Sequence, residues 1–340
     1  MKRHPAMAEW TVKEIEDTGE WDAFVKESPQ GSLFTTSAWK EILERGSGFK
    51  QRLYGAFREG RLEGGVFLTE KRQLGYPAAL NSLLSPQLGF LLPTTSTTKI
   101  SDQLSREHEI LGEIIRFLEK KYSQIDLNNA PNLNDVRPFI LHGWKPSPRY
   151  TYYLDLSDLG TLWSGFDGSV RRAIRKAERS ELETGVMECD PHEVYSLLKK
   201  TLEKHGGKNP IRESLVREIL SSEELEGKRT TIGARSPSGT LVSVVTAVWD
   251  WNRAYYLIAA SHPKYLGTGV NSLLIWELAN RLSEASVYEL DFIGANIPTV
   301  ARFKENFNPR LVTYYHVETW PSPVFKIIKK TGQRLLGRSK

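Results

Sequence analysis

Two residues of opposite charge near the end of the sequence have the types and the spacing for a reaction site. Asp291 ends a strand-like apolar run, and Lys304 follows within about a dozen residues on a short predicted helix. A carboxylate and an ammonium group in one cleft can move a proton and stabilise negative charge that develops on a substrate oxygen. We predict that Asp291 accepts or orients a substrate proton through water and that Lys304 stabilises an oxyanion.

Each residue also has a structural interpretation that the sequence leaves open. Lys304 equally suits a surface lysine paired with Glu305 or Asp291, and Asp291 suits a helix cap or a hydrogen-bonding loop residue. Covalent catalysis is not indicated, because the sequence has no Gly-x-Ser-x-Gly motif and Cys189 has no evident base beside it. We therefore expect direct transfer, without a covalent enzyme intermediate.

A glycine-containing turn gives a second candidate site. It follows the predicted strand RAYYLIAAS and precedes a predicted helix. Glycines at such a turn let backbone N–H groups approach an anion, and a helix N-terminus favours negative charge. The candidate residues for binding a phosphorylated donor are Lys264, Leu266, Gly267, Thr268, Gly269 and Asn271. The alternative is a tight turn that merely needs a positive φ.

A predicted helix with the sequence SVRRAIRKAERSELE carries cations beside an apolar stripe. Arg171 and Arg172 fall in its first turn, where positive charge opposes the helix dipole at about 0.3–1 kcal/mol each. An anionic substrate bound by Arg171, Arg172 and Arg175 would offset this cost, since guanidinium groups bind phosphate or carboxylate bidentately. A surface helix paired with nearby glutamates is the alternative.

Other residue types give weaker indications. Trp249 and Tyr256 lie on predicted strands and are candidates for lining an acceptor pocket, although aromatic residues on strands also suit a core. The single cysteine excludes an internal disulfide framework. The seven histidines show no His-Glu-x-x-His or comparable spacing, so we predict no metal site.

Composition limits the class of protein. At 340 residues the chain is long enough for two domains, and its 39% hydrophobic and 26% charged residues are typical of a soluble globular protein. No apolar run approaches the roughly 20 residues of a spanning helix, and no apolar segment follows the basic N-terminus. We expect a cytoplasmic protein.

The positive net charge of +5 comes from the C-terminal tail, residues 321–340, which holds six of the 46 Lys and Arg and no acidic residue. If the tail is helical, its apolar residues fall roughly on one side. That basic amphipathic pattern suits an anionic membrane surface, at the inner face of the membrane, or RNA phosphates. A solvated terminal helix packed on the domain is the other interpretation.

The elements that must position these residues occur twice. Each half is predicted to contain helices, a β-hairpin, a long helix, a strand, a short helix and a final strand. Placing IDLNNAPNLNDVRPF over LDFIGANIPTVARFK matches Asp126 with Asp291 and Arg137 with Arg302, while Phe139 falls at the position of Lys304. We predict a duplicated mixed α/β (α+β) domain at residues 1–158 and 159–320, with a mostly antiparallel sheet flanked by helices in each copy.

Several motifs together resemble the Fem-type aminoacyl and acyl transferases, which are double-domain relatives of the GNAT N-acetyltransferases. They are the GSLFTTSAWK segment, the SVRRAIRKAER helix, the YLGTGVNSLLIW segment and the ending DFIGA…FKENF. The resemblance spans about Trp10 to Thr319 and implies two tandem GNAT-like domains. The first copy would be degenerate and the second would hold the donor site.

The resemblance implies an N-acyltransferase with no tightly bound cofactor. Its co-substrate would be acyl-CoA or aminoacyl-tRNA, and its acceptor an amine on an anionic small molecule or a cell-envelope precursor. Phe303 and Lys304 would lie at the catalytic end. Lys40, next to Trp39, would bind the acceptor's phosphates together with Arg172 or Arg175. A Fem-like peptidyltransferase and a non-catalytic protein that binds anionic surfaces remain the alternatives.

Overall fold

The computed structural model describes residues 9–95, 97–203 and 210–325 of the chain. They form two compact units. Unit 1 comprises Met1–Lys40, Phe49–Pro148 and Tyr314–Lys340, and unit 2 comprises Glu41–Gly48 and Arg149–Thr313. The chain therefore returns to unit 1 after completing unit 2.

Unit 1 is a mixed sheet with helices. Its strands and helices in chain order are β1 (Trp10–Glu14), α1 (Thr18–Glu27), α2 (Ser37–Ser47, of which Ser37–Lys40 lies in this unit), β2 (Lys50–Arg58), β3 (Arg61–Gln73), β4 (Tyr76–Leu80), β5 (Gly89–Leu91), α3 (Ile100–Lys121), β6 (Gln124–Asn128) and α4 (Arg137–Leu141). The strand order is β1-β2-β3-β4-β6, with β5 beside β3. Only the β4–β6 pairing is parallel among these.

Strand β7 (Lys145–Asp155) leads into unit 2. The elements that follow are α5 (Leu159–Gly165), α6 (Gly168–Glu178), β8 (Glu183–Val186), α7 (Pro191–Glu203), α8 (Glu213–Ser221), β9 (Arg229–Arg235), β10 (Leu241–Trp249), β11 (Ala254–Ser261), α9 (Val270–Glu284), β12 (Glu289–Asp291) and α10 (Pro298–Glu305). The strand order is β7-β12-β11-β10-β9-β8. The β11–β12 pairing is parallel and the others are antiparallel.

The final strand, β13 (Arg310–Thr319), begins in unit 2 and ends in unit 1. Its last residues pair antiparallel with β6, from His316 opposite Asn128 to Thr319 opposite Ile125. This pairing places the end of β13 in the sheet of unit 1.

Each unit has its own apolar core. In unit 1, Ile110, Ile114 and Leu118 of α3 recur at helical spacing and are fully buried with residues of β2 and β3. In unit 2, α9 and α6 supply buried residues such as Leu274 and Ile174, which belong to one cluster with residues of β9 and β10. Burial of one such side chain contributes about 1.5–3 kcal/mol, so both helices are held mainly by their apolar faces.

The predicted fold class is confirmed: each unit is a mixed, mostly antiparallel sheet with helices. The hairpin predicted in the first half is present as β2 and β3, and the basic helix is present as α6. The domain limits 1–158 and 159–320 stay a prediction. In the basic tail, residues 326–340 lie outside the described residues. No helix of the described ranges combines the length and apolarity needed to cross a bilayer.

Candidate active site

Strand β12 is short and carries Asp291 into the interior of unit 2. Asp291 is the last residue of the strand, lies opposite Tyr153 of β7 and Tyr255 of β11, and is fully buried. Its Oδ1 accepts hydrogen bonds from the Thr151 hydroxyl and from the Ile293 N–H. Burial raises the pKa of Asp291 to about 6, although these hydrogen bonds oppose the shift. The carboxyl is thus poised to exchange a proton near neutral pH.

The chain turns sharply after Asp291. Ile293 has φ 50° and Gly294 has φ 82°, a left-handed conformation that is unusual for a β-branched residue. The Phe292 N–H donates to Tyr152 O at 2.9 Å, and the Ala295 N–H donates to Tyr150 O at 2.8 Å. These bonds draw the loop, residues 292–296, along β7.

Lys304 of α10 holds this loop from inside. Its side-chain Nζ donates three hydrogen bonds of 2.8 Å, to the backbone oxygens of Phe292, Ile293 and Gly294. Lys304 is only 6% exposed, so its interpretation as a surface lysine is wrong. Burial lowers the pKa of Lys304 to about 8, and the charge of Asp291 opposes the shift. All three donors of the ammonium form bond backbone carbonyls, which fixes the loop.

The parallel strands β11 and β12 stay together only briefly. The paired residues are Ala254 with Leu290 and Tyr255 with Asp291, where β12 ends, whereas β11 continues to Ser261. Beyond this pair, the chain after β12 hydrogen-bonds to β7 and has no ladder pairing with β11 in the described residues. The Tyr256 ring packs edge-on against Phe292 at 5.6 Å.

A β-bulge lies at the same place on β11. The register with β10 shifts between Thr246 and Ala247, which are opposite Ile258 and Tyr256, and leaves Leu257 as an extra residue. A bulge disrupts the ladder and frees backbone groups for other partners. The sequence analysis missed this feature, because a bulge in a regular apolar strand has no sequence signal here.

The N-terminus of α9 lies at the far end of β11. A 3₁₀ helix, Pro263–Thr268, connects them, and Gly269 adopts φ 87° directly before Val270. A Cβ on Gly269 would lie 2.2 Å from the Ala173 oxygen of α6. Gly269 is therefore required both by its conformation and by the close approach of α6.

Most of the other residues predicted for this turn are accessible. Lys264, Leu266 and Gly267 are exposed, and the Thr268 hydroxyl donates to Tyr265 O at 2.7 Å. Asn271 differs, because its side-chain oxygen accepts hydrogen bonds from Ser261 and Ser243 of the sheet. Asn271 thus fastens the start of α9 to the sheet.

The cationic side chains of helix α6 have different environments. Arg171 donates to Ser164 O at 2.8 Å and so caps the C-terminal end of α5. This contact accounts for a cation in the first turn of α6 without a bound anionic ligand. Lys176, which the sequence analysis did not select, donates to Gly267 O at 2.7 Å. Arg172 and Arg175 are exposed, and Arg175 lies over the Trp163 ring at 6.0 Å. These two are exposed cations of the helix whose Ala173 closely approaches Gly269.

The remaining predicted residues have mainly packing environments. Phe303 is half-buried and packs against Phe307 at 5.4 Å, and Trp249 and Tyr256 are half-buried against the core of unit 2. Trp39 lies in unit 1, fully buried, and its indole N–H donates to the Ser85 hydroxyl. Lys40 is the half-buried neighbour of Trp39 in the same unit. The buried Trp39 cannot contact a substrate without rearrangement of the core.

The fold is that of tandem GNAT proteins. FemX shares 15% identity over 90% of this chain and 96% of its own, with a TM-score of 0.64. A tandem GNAT protein from the clavulanic acid biosynthesis pathway is 14% identical over 93% of this chain and 99% of its own, with a TM-score of 0.58. L-PGS from Bacillus licheniformis is 13% identical over 95% of this chain and 97% of its own, with a TM-score of 0.52. A comparison with curated protein sequences gave no significant match.

The sequence itself identifies the second unit. Residues 165–305 match the family described as the acetyltransferase (GNAT) domain. These residues, which are about two fifths of the chain, include α6, the turn before α9, Asp291 and Lys304. The resemblance seen in the sequence is therefore confirmed at the level of the GNAT domain and the tandem fold.

Proposed function

We propose that the protein is an N-acyltransferase that uses unit 2 to transfer an acyl or aminoacyl group to the amine of an anionic acceptor. The observation that carries the proposal is the end of the β11–β12 pairing at Tyr255 and Asp291, beyond which β11 continues to Ser261. A strand that continues past its parallel neighbour, with a bulge on it and a helix N-terminus beyond its end, suits an extended activated donor.

The phosphate end of the donor would lie against the start of α9. The turn at the exposed Gly267 and the half-buried Gly269 would offer backbone N–H groups, and Arg172 and Arg175 would add positive charge. Both acyl-CoA and aminoacyl-tRNA carry phosphates next to a transferable acyl group.

The reacting carbonyl would lie beside the bulge on β11. Backbone N–H groups there, released from the ladder, would donate to the oxyanion of the tetrahedral intermediate. Asp291 would take the amine proton through water, since its raised pKa lets it exchange protons near neutrality. As the intermediate collapses, the bond from the carbonyl carbon to the donor's leaving group breaks and the new amide remains.

Lys304 receives a modified role in this scheme. Its three hydrogen bonds to the carbonyls of residues 292–294 hold the wall of the site, so we propose it as a positioning residue and not as the oxyanion donor. Phe303 of the same helix packs against Phe307, which in turn packs against Phe292 of the loop.

The test is a ligand screen of the full-length protein with coenzyme A, acetyl-CoA and charged tRNA, read as a rise in thermal midpoint. We expect one donor class to stabilise the protein and the Arg172→Ala/Arg175→Ala double variant to lose most of that shift. Arg116→Ala is the matched control, because Arg116 is an exposed arginine of unit 1 paired with Glu113. Absence of stabilisation by every donor would overturn the proposal.

Transfer then distinguishes an enzyme from a docking protein. Radiolabelled donor with small amines and with phosphorylated amines should give amide product, and removal of residues 326–340 should leave turnover on a soluble acceptor unchanged. Anion binding without any product, lost on removal of that segment, would favour the non-catalytic alternative.

A further inference from the structure

Three side chains with metal-binding atoms converge on the sheet of unit 1. Asp126 lies on β6, and His316 and Glu318 lie on β13. Glu318 is directly opposite Asp126, and His316 is opposite Asn128. Because side chains alternate along a strand, all three project from the same face of the sheet. Their ligand atoms lie within 4.8 Å of one another.

The arrangement places like charges in register. Two carboxylates directly across an antiparallel pair repel each other and destabilise the sheet unless a cation lies between them. The His316 Nδ1 is 3.9 Å from Asp126 Oδ1 and 3.1 Å from Asn128 Oδ1, and its side chain is 12% exposed. A ring nitrogen surrounded by oxygens is stabilised either by a proton or by a metal ion.

The distances suit one coordination shell. Around an ion with bonds of about 2.1 Å, neighbouring ligand atoms are about 3.0–3.4 Å apart. The observed separations, 3.9 Å between Asp126 and His316 and at most 4.8 Å within the cluster, exceed these values by amounts that rotation about side-chain bonds can supply. The backbone register need not change.

We propose that Asp126, His316 and Glu318 bind one divalent transition-metal ion, with water completing its coordination. One imidazole with two carboxylates is a ligand set for borderline ions such as Mn²⁺, Fe²⁺ or Zn²⁺, whereas an all-oxygen set would suit Mg²⁺ or Ca²⁺. When the ion binds, Nδ1 gives up any proton it carries, and the ion joins β13 to β6. This site is separate from the candidate active site of unit 2 and would be structural.

The sequence analysis predicted no metal because it considered spacing along the chain. His316 and Glu318 form a short His-x-Glu pair, but the third ligand is far earlier in the sequence, at Asp126. Only the strand register joins them.

The test is metal binding by the full-length protein after treatment with a chelator. Titration calorimetry with Zn²⁺, Mn²⁺ and Mg²⁺ should show one ion per chain at this site, with Mg²⁺ the weakest. His316→Gln and Glu318→Gln should each weaken binding at least about tenfold, since even outer-shell changes cost about 10–100-fold. His108→Gln is the matched control, because His108 contacts Asp135 at 2.7 Å, and Arg137 already pairs with that carboxylate.

A second readout keeps the test independent of folding. Co²⁺ bound through an imidazole should give a visible absorption band in the wild type and in His108→Gln that is lost in His316→Gln, while Glu318→Gln changes its shape. Circular dichroism verifies that each variant is folded. Failure of the wild type to bind any of these ions at millimolar concentration, or equal affinity in all variants, would overturn the proposal.

Discussion

The loops after β6 and β12 occupy equivalent positions in the two units but are built differently. Asp126 and Asp291 are each paired with a residue of a parallel neighbour, Leu80 on β4 and Tyr255 on β11. In unit 1 the neighbour ends at that residue, whereas in unit 2 it continues to Ser261. A parallel strand that continues past the last paired residue is thus a feature of unit 2.

The helices that follow show the same contrast. Phe139 of α4 is fully buried and packs against the Phe90 and Trp144 rings, so an aromatic cluster closes this corner of unit 1. Lys304 occupies the matching position in unit 2 and bonds three carbonyls there. Burying a lysine and an aspartate costs free energy that an aromatic cluster would not. Such a cost is typical of a functional site.

The largest effect should come from removing the lysine. Lys304→Met keeps the apolar part of the side chain but leaves the oxygens of residues 292–294 without their donor. An unsatisfied buried acceptor costs about 1–3 kcal/mol, so we expect a loss of about 3–5 kcal/mol in the free energy of unfolding, measured with urea. Transfer activity should fall with it.

Two variants sharpen this prediction. Lys264→Met removes an exposed lysine of the same unit and should stay within about 0.5 kcal/mol of the wild type. Lys304→Phe copies unit 1 and should not restore stability, because an aromatic ring cannot donate to the carbonyls. If Lys304→Phe were as stable as the wild type, the difference between Phe139 in unit 1 and Lys304 in unit 2 would have no energetic basis.

The second-largest effect should come from Gly269, which lies between β11 and α9. Helix α3 of unit 1 begins at Ile100 with Asp102 in its first turn, whereas α9 of unit 2 begins after Gly269. Gly269→Ala combines an unfavourable φ with a Cβ 2.2 Å from Ala173 O. Backbone strain and overpacking each cost about 1–3 kcal/mol, so we expect a loss of about 2–4 kcal/mol together with weaker donor binding.

Gly60→Ala isolates the backbone contribution. Gly60 has φ 77° in the hairpin turn of unit 1, and a Cβ there would meet no atom within 4 Å. It should lose only about 1–2 kcal/mol. Equal losses in both variants, by urea unfolding, would show that the approach of α6 to α9 adds nothing to the requirement for glycine.

The sequence predicted local secondary structure well, but it did not predict contacts between residues that are far apart in the chain. Periodicity and turn residues predicted the hairpins, the basic helix and a helix after the glycine-containing turn. The three carbonyls at Lys304 could not be predicted, because the loop that presents them is shaped by hydrogen bonds to Tyr150 and Tyr152, far earlier in the chain. The first-turn cation Arg171 suggested a ligand, and its actual partner is a backbone oxygen of the preceding helix.

The smallest predicted effect is a dependence of stability on pH that arises from Asp291. Burial raises the pKa of Asp291 to about 6 in the folded chain, compared with about 3.9 when unfolded. The folded state therefore holds this proton more tightly. Its contribution to stability is fully present below about pH 4 and is lost as the pH rises through about 6.

Asp291→Asn tests this titration, because an amide oxygen can still accept from Thr151 and from the Ile293 N–H. Relative to the variant, the wild type should lose about 1–3 kcal/mol of unfolding free energy between about pH 4 and pH 6.5, measured by urea unfolding at a series of pH values. Above that range the difference should stay level until Lys304 begins to lose its proton near pH 8. If the difference in unfolding free energy between the wild type and Asp291→Asn did not change from pH 4 upwards, burial of the charged Asp291 would carry no cost. Asp291 and the half-exposed Asp126 would then differ only in the length of the neighbouring strand.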